Sequence, residues 1–272
     1  FGKMDIFGFF DQNTAAGDES RQFLNSVFVH NPLLDAGGEV AVDANGFQPG
    51  FIAAYVNDTN KAEPWKVSLG FFGAGELGAS YQKSFDSPLA MLQAEKRLRL
   101  FGGLPGNYRA YAWHRSDVPE WDGTRSATHT GVGFSVDQRV GDGITLFGRY
   151  GKLTKGQLPF DQALSAGAEI NGSYWGRGGD TIGVGGSWLR ASHEYRQPGF
   201  ASGCLGRDSD DNCTGAFNYN ASGAEKVAEI YYRYRISPQF DLTPDFQWIG
   251  RPGANPGADS VKVISLRANV AF

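Results

Sequence analysis

Along residues 261–272 the chain reads VKVISLRANVAF, and every second residue changes character. Ile264, Leu266, Ala268, Val270 and Phe272 form an apolar row, while Ser265, Arg267 and Asn269 form a polar one. A period of two belongs to a strand whose side chains point alternately to opposite faces. The pattern recurs upstream. In 224–236, Ala224, Ala228, Ile230, Tyr232, Tyr234 and Ile236 alternate with Glu225, Glu229, Tyr231, Arg233 and Arg235. Lys226 interrupts the apolar row near one end, where its amine can snorkel. Phe240, Leu242, Phe246 and Trp248 oppose Asp241, Thr243, Asp245 and Gln247. Pro244 cannot donate to a ladder, which predicts a bulge or a lost bond there. Val132, Phe134 and Val136 likewise oppose Ser135 and Asp137, and Ile144, Leu146 and Tyr150 oppose Thr145 and Arg149.

Strands are predicted at 2–10, 47–57, 65–74, 90–100, 107–114, 129–140, 143–152, 168–176, 181–190, 224–236, 239–249 and 260–272. Short connections at 57–64, 101–106, 141–142, 177–180 and 237–238 are expected to alternate with long ones at 11–46, 75–89, 115–128, 153–167, 191–223 and 250–259. That layout predicts an all-β fold, a single transmembrane antiparallel up-and-down barrel domain over 1–272. Bacterial barrels keep short turns on the periplasmic side, so the C-terminus is expected there. An arginine facing lipid at mid-plane costs about 2–4 kcal/mol, so the charged rows must face water. One segment is ambiguous: Ser87 to Arg97 has an N-cap residue, a proline at N1 and good helix formers. Period two sets Leu92, Ala94, Leu98 and Leu100 against Gln93, Glu95, Arg97 and Arg99, and a strand keeps the alternation of connections intact.

Composition removes competitors. The 272 residues carry 38 glycines and a formal charge of -4, with no apolar run near the roughly 18 residues of a spanning helix. No Lys/Arg run marks a nucleic-acid track. The chain opens at Phe1 without a signal-like segment, which reads as a processed or truncated product.

Specific stretches carry a resemblance. Gly2-Lys3-Met4-Asp5, Asp18-Glu19-Ser20-Arg21-Gln22-Phe23-Leu24 and Pro105-Gly106-Asn107-Tyr108-Arg109-Ala110-Tyr111-Ala112-Trp113 are similar to the carbohydrate-selective porins of the OprB type. So are Tyr231-Tyr232-Arg233, Leu242-Thr243-Pro244-Asp245-Phe246-Gln247-Trp248, Pro252-Gly253-Ala254-Asn255-Pro256 and Leu266-Arg267-Ala268. The resemblance implies a sixteen-stranded outer-membrane barrel passing sugars by diffusion. About four N-terminal strands of that pattern have no counterpart, so either sequence is missing or the barrel is reduced.

A sugar pore needs aromatic faces for C–H surfaces and charged groups for hydroxyls. The inward candidates are Glu95, Arg97, Arg99, Arg109, Arg149, Glu229, Arg233, Arg235 and Arg267, with Tyr111 and Trp113 as stacking surfaces. The same residues also suit a ladder of cross-wall salt bridges. Connection 11–46, with Phe23, Leu24, Val27 and Phe28 spaced for a short amphipathic helix, either folds inward as a constriction or lies outside as a lid. Cys204 and Cys213 are expected to form a disulfide in the oxidising exterior, worth roughly 2–3 kcal/mol. Two alkylatable thiols without reductant would refute it. Phe272 is the candidate assembly signal.

Other motifs carry less. Gly73-Ala74-Gly75-Glu76-Leu77-Gly78 matches a dinucleotide fingerprint, but no β-α-β unit surrounds it. Asp208-Ser209-Asp210-Asp211-Asn212 lacks the glycine and closing glutamate of a calcium loop. His30, His114, His129 and His193 are scattered, without a paired-histidine or serine-elbow motif. No cofactor, metal or nucleic-acid partner is expected. The partners expected are small sugars and outer-membrane lipids, with the protein a homotrimer or a monomer. A plugged, non-conducting scaffold barrel and a membrane hydrolase are the alternatives.

Overall fold

The structure, a computed structural model, describes residues 1–35, 47–73, 88–119, 126–197 and 219–271. Among these, twelve strands join into one antiparallel sheet, each paired with its neighbour in sequence. They are β1 (Gly2–Met4), β2 (Gln48–Asn57), β3 (Trp65–Phe72), β4 (Leu89–Leu100), β5 (Leu104–Pro119) and β6 (Ser126–Gly141), followed by β7 (Ile144–Lys155), β8 (Phe160–Asn171), β9 (Thr181–Ala191), β10 (Ala224–Ser237), β11 (Phe240–Gly250) and β12 (Val261–Val270). The edge strands β1 and β12 do not pair with each other. No described helix is long and apolar enough to cross a membrane.

The two faces differ as the period requires. On the outward face Phe134, Leu146, Leu164, Val184, Ile230, Ile264 and Leu266 are exposed. On the inward face Ser135, Arg149, Ser165, Ser187, Glu229 and Asp245 are buried. The polar side is therefore the covered one, the inverse of a soluble sheet. Close packing across strands explains some of the glycine. The Trp113 ring of β5 lies over Gly131 of β6, and the Tyr231 ring of β10 over Gly183 of β9, where a β-carbon would collide with each ring.

Residues 89–100 form a strand despite their helix propensity, because β4 is paired on both edges, with Glu95 opposite Lys66 and Arg109. At Pro244 the β10–β11 pairing lapses beside Tyr232 and Arg233 and resumes in register at Tyr234. The bond is lost there, and the bulge lies instead between Arg235 and Ser237.

Three expectations are corrected. The strand expected at 2–10 ends at Met4, because Asp5 accepts from the Phe7 amide at 3.0 Å and Ile6 accepts from Phe9 and Phe10, turning the chain so that Ile6 and Phe10 are buried. The strand expected at 168–176 is β8, eight residues earlier in its start; Asn171 caps a 3-10 turn at 172–175 that ends at left-handed Gly176, φ 77°. The long connection expected at 153–167 shrinks to 156–159, so the alternation of short and long connections fails between β7 and β8. Cys204, Cys213, Phe272, the acidic stretch 208–212 and most of the glycine motif lie outside the described residues.

Candidate functional site: the inner wall and the segment against it

Residues 5–35 leave β1 and run along the inner face of the sheet. Two single-turn helices occur in this stretch, α1 (Ser26–Val29) and α2 (Pro32–Asp35), with Asn25 capping the first through a bond from the Val27 amide. The expected amphipathic helix is thus one turn. Its apolar residues Phe23 and Phe28 are buried against Phe147 and, for Phe23, Tyr231, with ring centroids 5.1–6.4 Å apart. Ile6, Phe10, Leu33 and Leu34 join them in a core that Phe72, Met91, Trp113 and Leu189 of the wall complete. Of the two arrangements open to this connection, its described part adopts the inward one.

Polar groups fix the segment in register. Asp11, at φ 52°, binds Arg149 at 3.0 Å, accepts from Tyr111 at 2.8 Å and from the Asn31 amide at 2.6 Å. Arg149 also donates to the carbonyls of Asp11, Ala16 and Phe28. Glu229 takes the amides of Leu24 and Asn25 at 2.6 and 2.9 Å, one on each carboxylate oxygen. Asn25 reaches Gln247, Gln22 reaches Glu169, Thr14 reaches Asp137, and Arg267 donates to the carbonyls of Glu19 and Gln22. The backbone polar groups that an irregular segment leaves unpaired are in this way met by the wall.

The eleven inward candidates separate by what they touch. Arg149, Glu229, Arg267 and Tyr111 hold the segment, and Trp113 is buried beside it at 1% exposure. Glu95 and Arg109 belong to a cross-wall ladder, Lys66–Glu95 at 3.3 Å, Glu95–Arg109 at 3.4 Å and Arg109–Asp137 at 2.8 Å. Arg233 donates to Thr181 at 2.8 Å. Arg97 and Arg99 are exposed; their guanidinium groups bond to Asn107 and to the Gly103 carbonyl and form no ion pair among the described residues, while the Arg99 amide donates to the Glu63 carboxylate at 3.2 Å. Arg235 is 47% exposed and stands 3.8 Å from Asp241. Open cations therefore gather toward the turn end of the wall.

Sequence reasoning missed Asp11, Asn31 and Glu169 as partners. Gln93, Asp137 and Gln247 stood in the polar rows and were legible as inward, but nothing in the spacing of Asp11 points to Arg149. In the turn between β8 and β9, burial pushes the Asp180 carboxyl up, yet bonds from Arg177, Tyr232 and the Arg235 amide outweigh it and hold it at about 2. No group of three metal-ligating side chains occurs among the described residues.

The model of a family described as carbohydrate-selective porin, OprB family, matches residues 1–272. A high-pH structure of Pseudomonas putida OprB is similar with a TM-score of 0.77 at 19% identity, covering 100% of this chain and 69% of that one. The outer membrane protein OprD of Pseudomonas aeruginosa is similar with a TM-score of 0.46 at 10% identity, over 81% of this chain and 58% of that one. No curated protein matches. The first likeness shows the fold, that of an antiparallel outer-membrane barrel wall.

Proposed function

The chain belongs to the OprB family of carbohydrate-selective porins, and from that premise we propose that it lets small hydrophilic solutes, carbohydrates first, diffuse passively through a charged aqueous lumen. Its family and fold are those of a channel rather than an enzyme. The supporting observation is the division of the inward charges: Arg109, Arg149, Glu229 and Arg267 are spent on the wall and the segment, whereas Arg97, Arg99 and Arg235 stay open. A passing sugar needs partners that bind and release, and an exposed guanidinium that no carboxylate holds at close range offers such a bond. Arg97, Arg99 and Arg235 are then the solute-contacting groups, and residues 5–35 narrow the bore. The short turns face the periplasm, as does the C-terminus.

The test is sugar flux into liposomes carrying the reconstituted protein. Replacing Arg97 and Arg99 together by Ala should change the relative rates of different sugars at least severalfold while leaving the unfolding free energy within about 0.5 kcal/mol, as for surface positions. Unchanged rates would remove both residues from the solute path.

A second reading is favoured by one observation, the packed core between the inner segment and the wall. A barrel filled in this way would be a non-conducting scaffold. Planar bilayers separate the readings, since a plugged scaffold gives no steady single-channel current.

A further inference from the structure

The outward face of a barrel wall meets lipid, and ionisable residues there are costly unless they reach headgroups. On β7, β10 and β12 the outward rows carry Lys152, Lys226 and Lys262, all exposed and all within a few residues of the end from which the longer connections 192–223 and 251–260 leave. None has a carboxylate partner among the described residues. Asp161, at the same end, is held by Arg190 at 2.7 Å.

Two of these lysines stand beside tryptophans. Lys226 is directly opposite Trp188 on β9, and Lys262 is directly opposite Trp248 on β11. The Trp248 ring lies over Gly250, the residue paired with Lys226, so the indole is placed between the two lysines. Strand spacing puts β10 and β12 roughly 10 Å apart. Further down the same face, Ile230, Pro244, Phe246 and Ile264 line an open apolar groove where the lost bond at Pro244 dents the wall. Cations without acids, an aromatic plate between them and an apolar groove below match three parts of one molecule. Phosphates fit the lysines, a sugar ring fits the indole face, and an acyl chain fits the groove.

We propose that this face of β10–β12 binds a phosphorylated glycolipid of the outer leaflet, through Lys226 and Lys262 on its phosphates and Trp248 on its sugar. The charge complementarity and the aromatic plate select this occupant over an uncharged lipid, which needs neither. The leaflet follows from the orientation proposed above, whereas the chemistry of the site does not depend on it.

The experiment is native mass spectrometry of the full chain in detergent, titrated with a diphosphorylated disaccharide lipid, its dephosphorylated counterpart and phosphatidylglycerol. The phosphorylated glycolipid should be retained at least tenfold better than the dephosphorylated one. Lys226→Gln with Lys262→Gln should weaken that retention roughly thirtyfold, at about the value of two juxtamembrane lysines. Lys226→Arg with Lys262→Arg should keep it. Trp248→Ala should weaken retention of the glycolipid but not of phosphatidylglycerol, and it replaces the Gln pair if that variant does not refold. Equal retention of the phosphorylated and dephosphorylated lipids, an unaffected Gln pair, or an unaffected Trp248→Ala would overturn the proposal. So would displacement of the glycolipid by an equal concentration of phosphatidylglycerol, which would assign the face to phospholipid.

Discussion

Arg149 makes four bonds to the inner segment, and each group it satisfies is buried. Removing one member of a buried ion pair leaves the other charge uncompensated, at a cost of about 3–5 kcal/mol. Arg149→Met is therefore expected to lower stability by that amount in chemical denaturation, and adding Asp11→Asn should restore part of it. A cost below about 1 kcal/mol would mean that Asp11 is not confined as described. At the turn end, Asp180 works in the opposite direction from a buried base. Its carboxyl sits at about 2, below its ordinary 3.8, so its ionised form is the one the fold favours. The stability it contributes is complete above about pH 4 and is lost as the pH falls from there toward 2. The difference in denaturation midpoint between the protein and Asp180→Asn should accordingly shrink across that interval. A difference that stays constant with pH would remove Asp180 from the account.

Strands and segment were unequally legible before the structure was known. The wall was readable because its information is local: polar and apolar residues alternate within each strand, so Arg233, Asp245 and Arg267 announce their face without reference to any partner. Boundaries were less readable where a cap or turn ends a strand, as at Asp5 and Asn171. The inner segment was scarcely readable, since Asp11 and Arg149 lie 138 residues apart and Gln22 and Arg267 lie 245 apart. Spacing rules carry no information at that range. This explains why the inward rows were readable but the division of their residues into wall, tether and open cation was not. Between elements, the fit of ring to glycine gives its own expectation. Gly131→Ala forces the Trp113 ring to move and should cost about 1–3 kcal/mol, as overpacking does elsewhere. Gly186, whose added β-carbon would meet nothing, is the matched control.

At the scale of the molecule, the inner face is covered by its own chain and the outer face is left exposed. The exposed aliphatic rows of β8–β12 would be an aggregation surface in water and are ordinary in a bilayer. The covered inner face restricts rather than abolishes a path in the proposed reading, because Arg97, Arg99 and Arg235 remain outside the packed core. Such a bore should carry a small, steady current that grows when Phe23 and Phe28 are replaced by Ala, since those rings seat the segment. A current that does not change on that replacement would place the narrowing elsewhere.

The order of the chain imposes a timetable on this arrangement. Residues 5–35 emerge before β2 to β12, and the groups that receive them arrive as late as Arg267. Until then Ile6, Phe10, Phe23 and Phe28 travel without cover, and a long-range closure of this kind is slow. The newborn polypeptide consequently needs an escort for this segment, and quenching of Trp113 should trail the appearance of sheet when the protein is refolded.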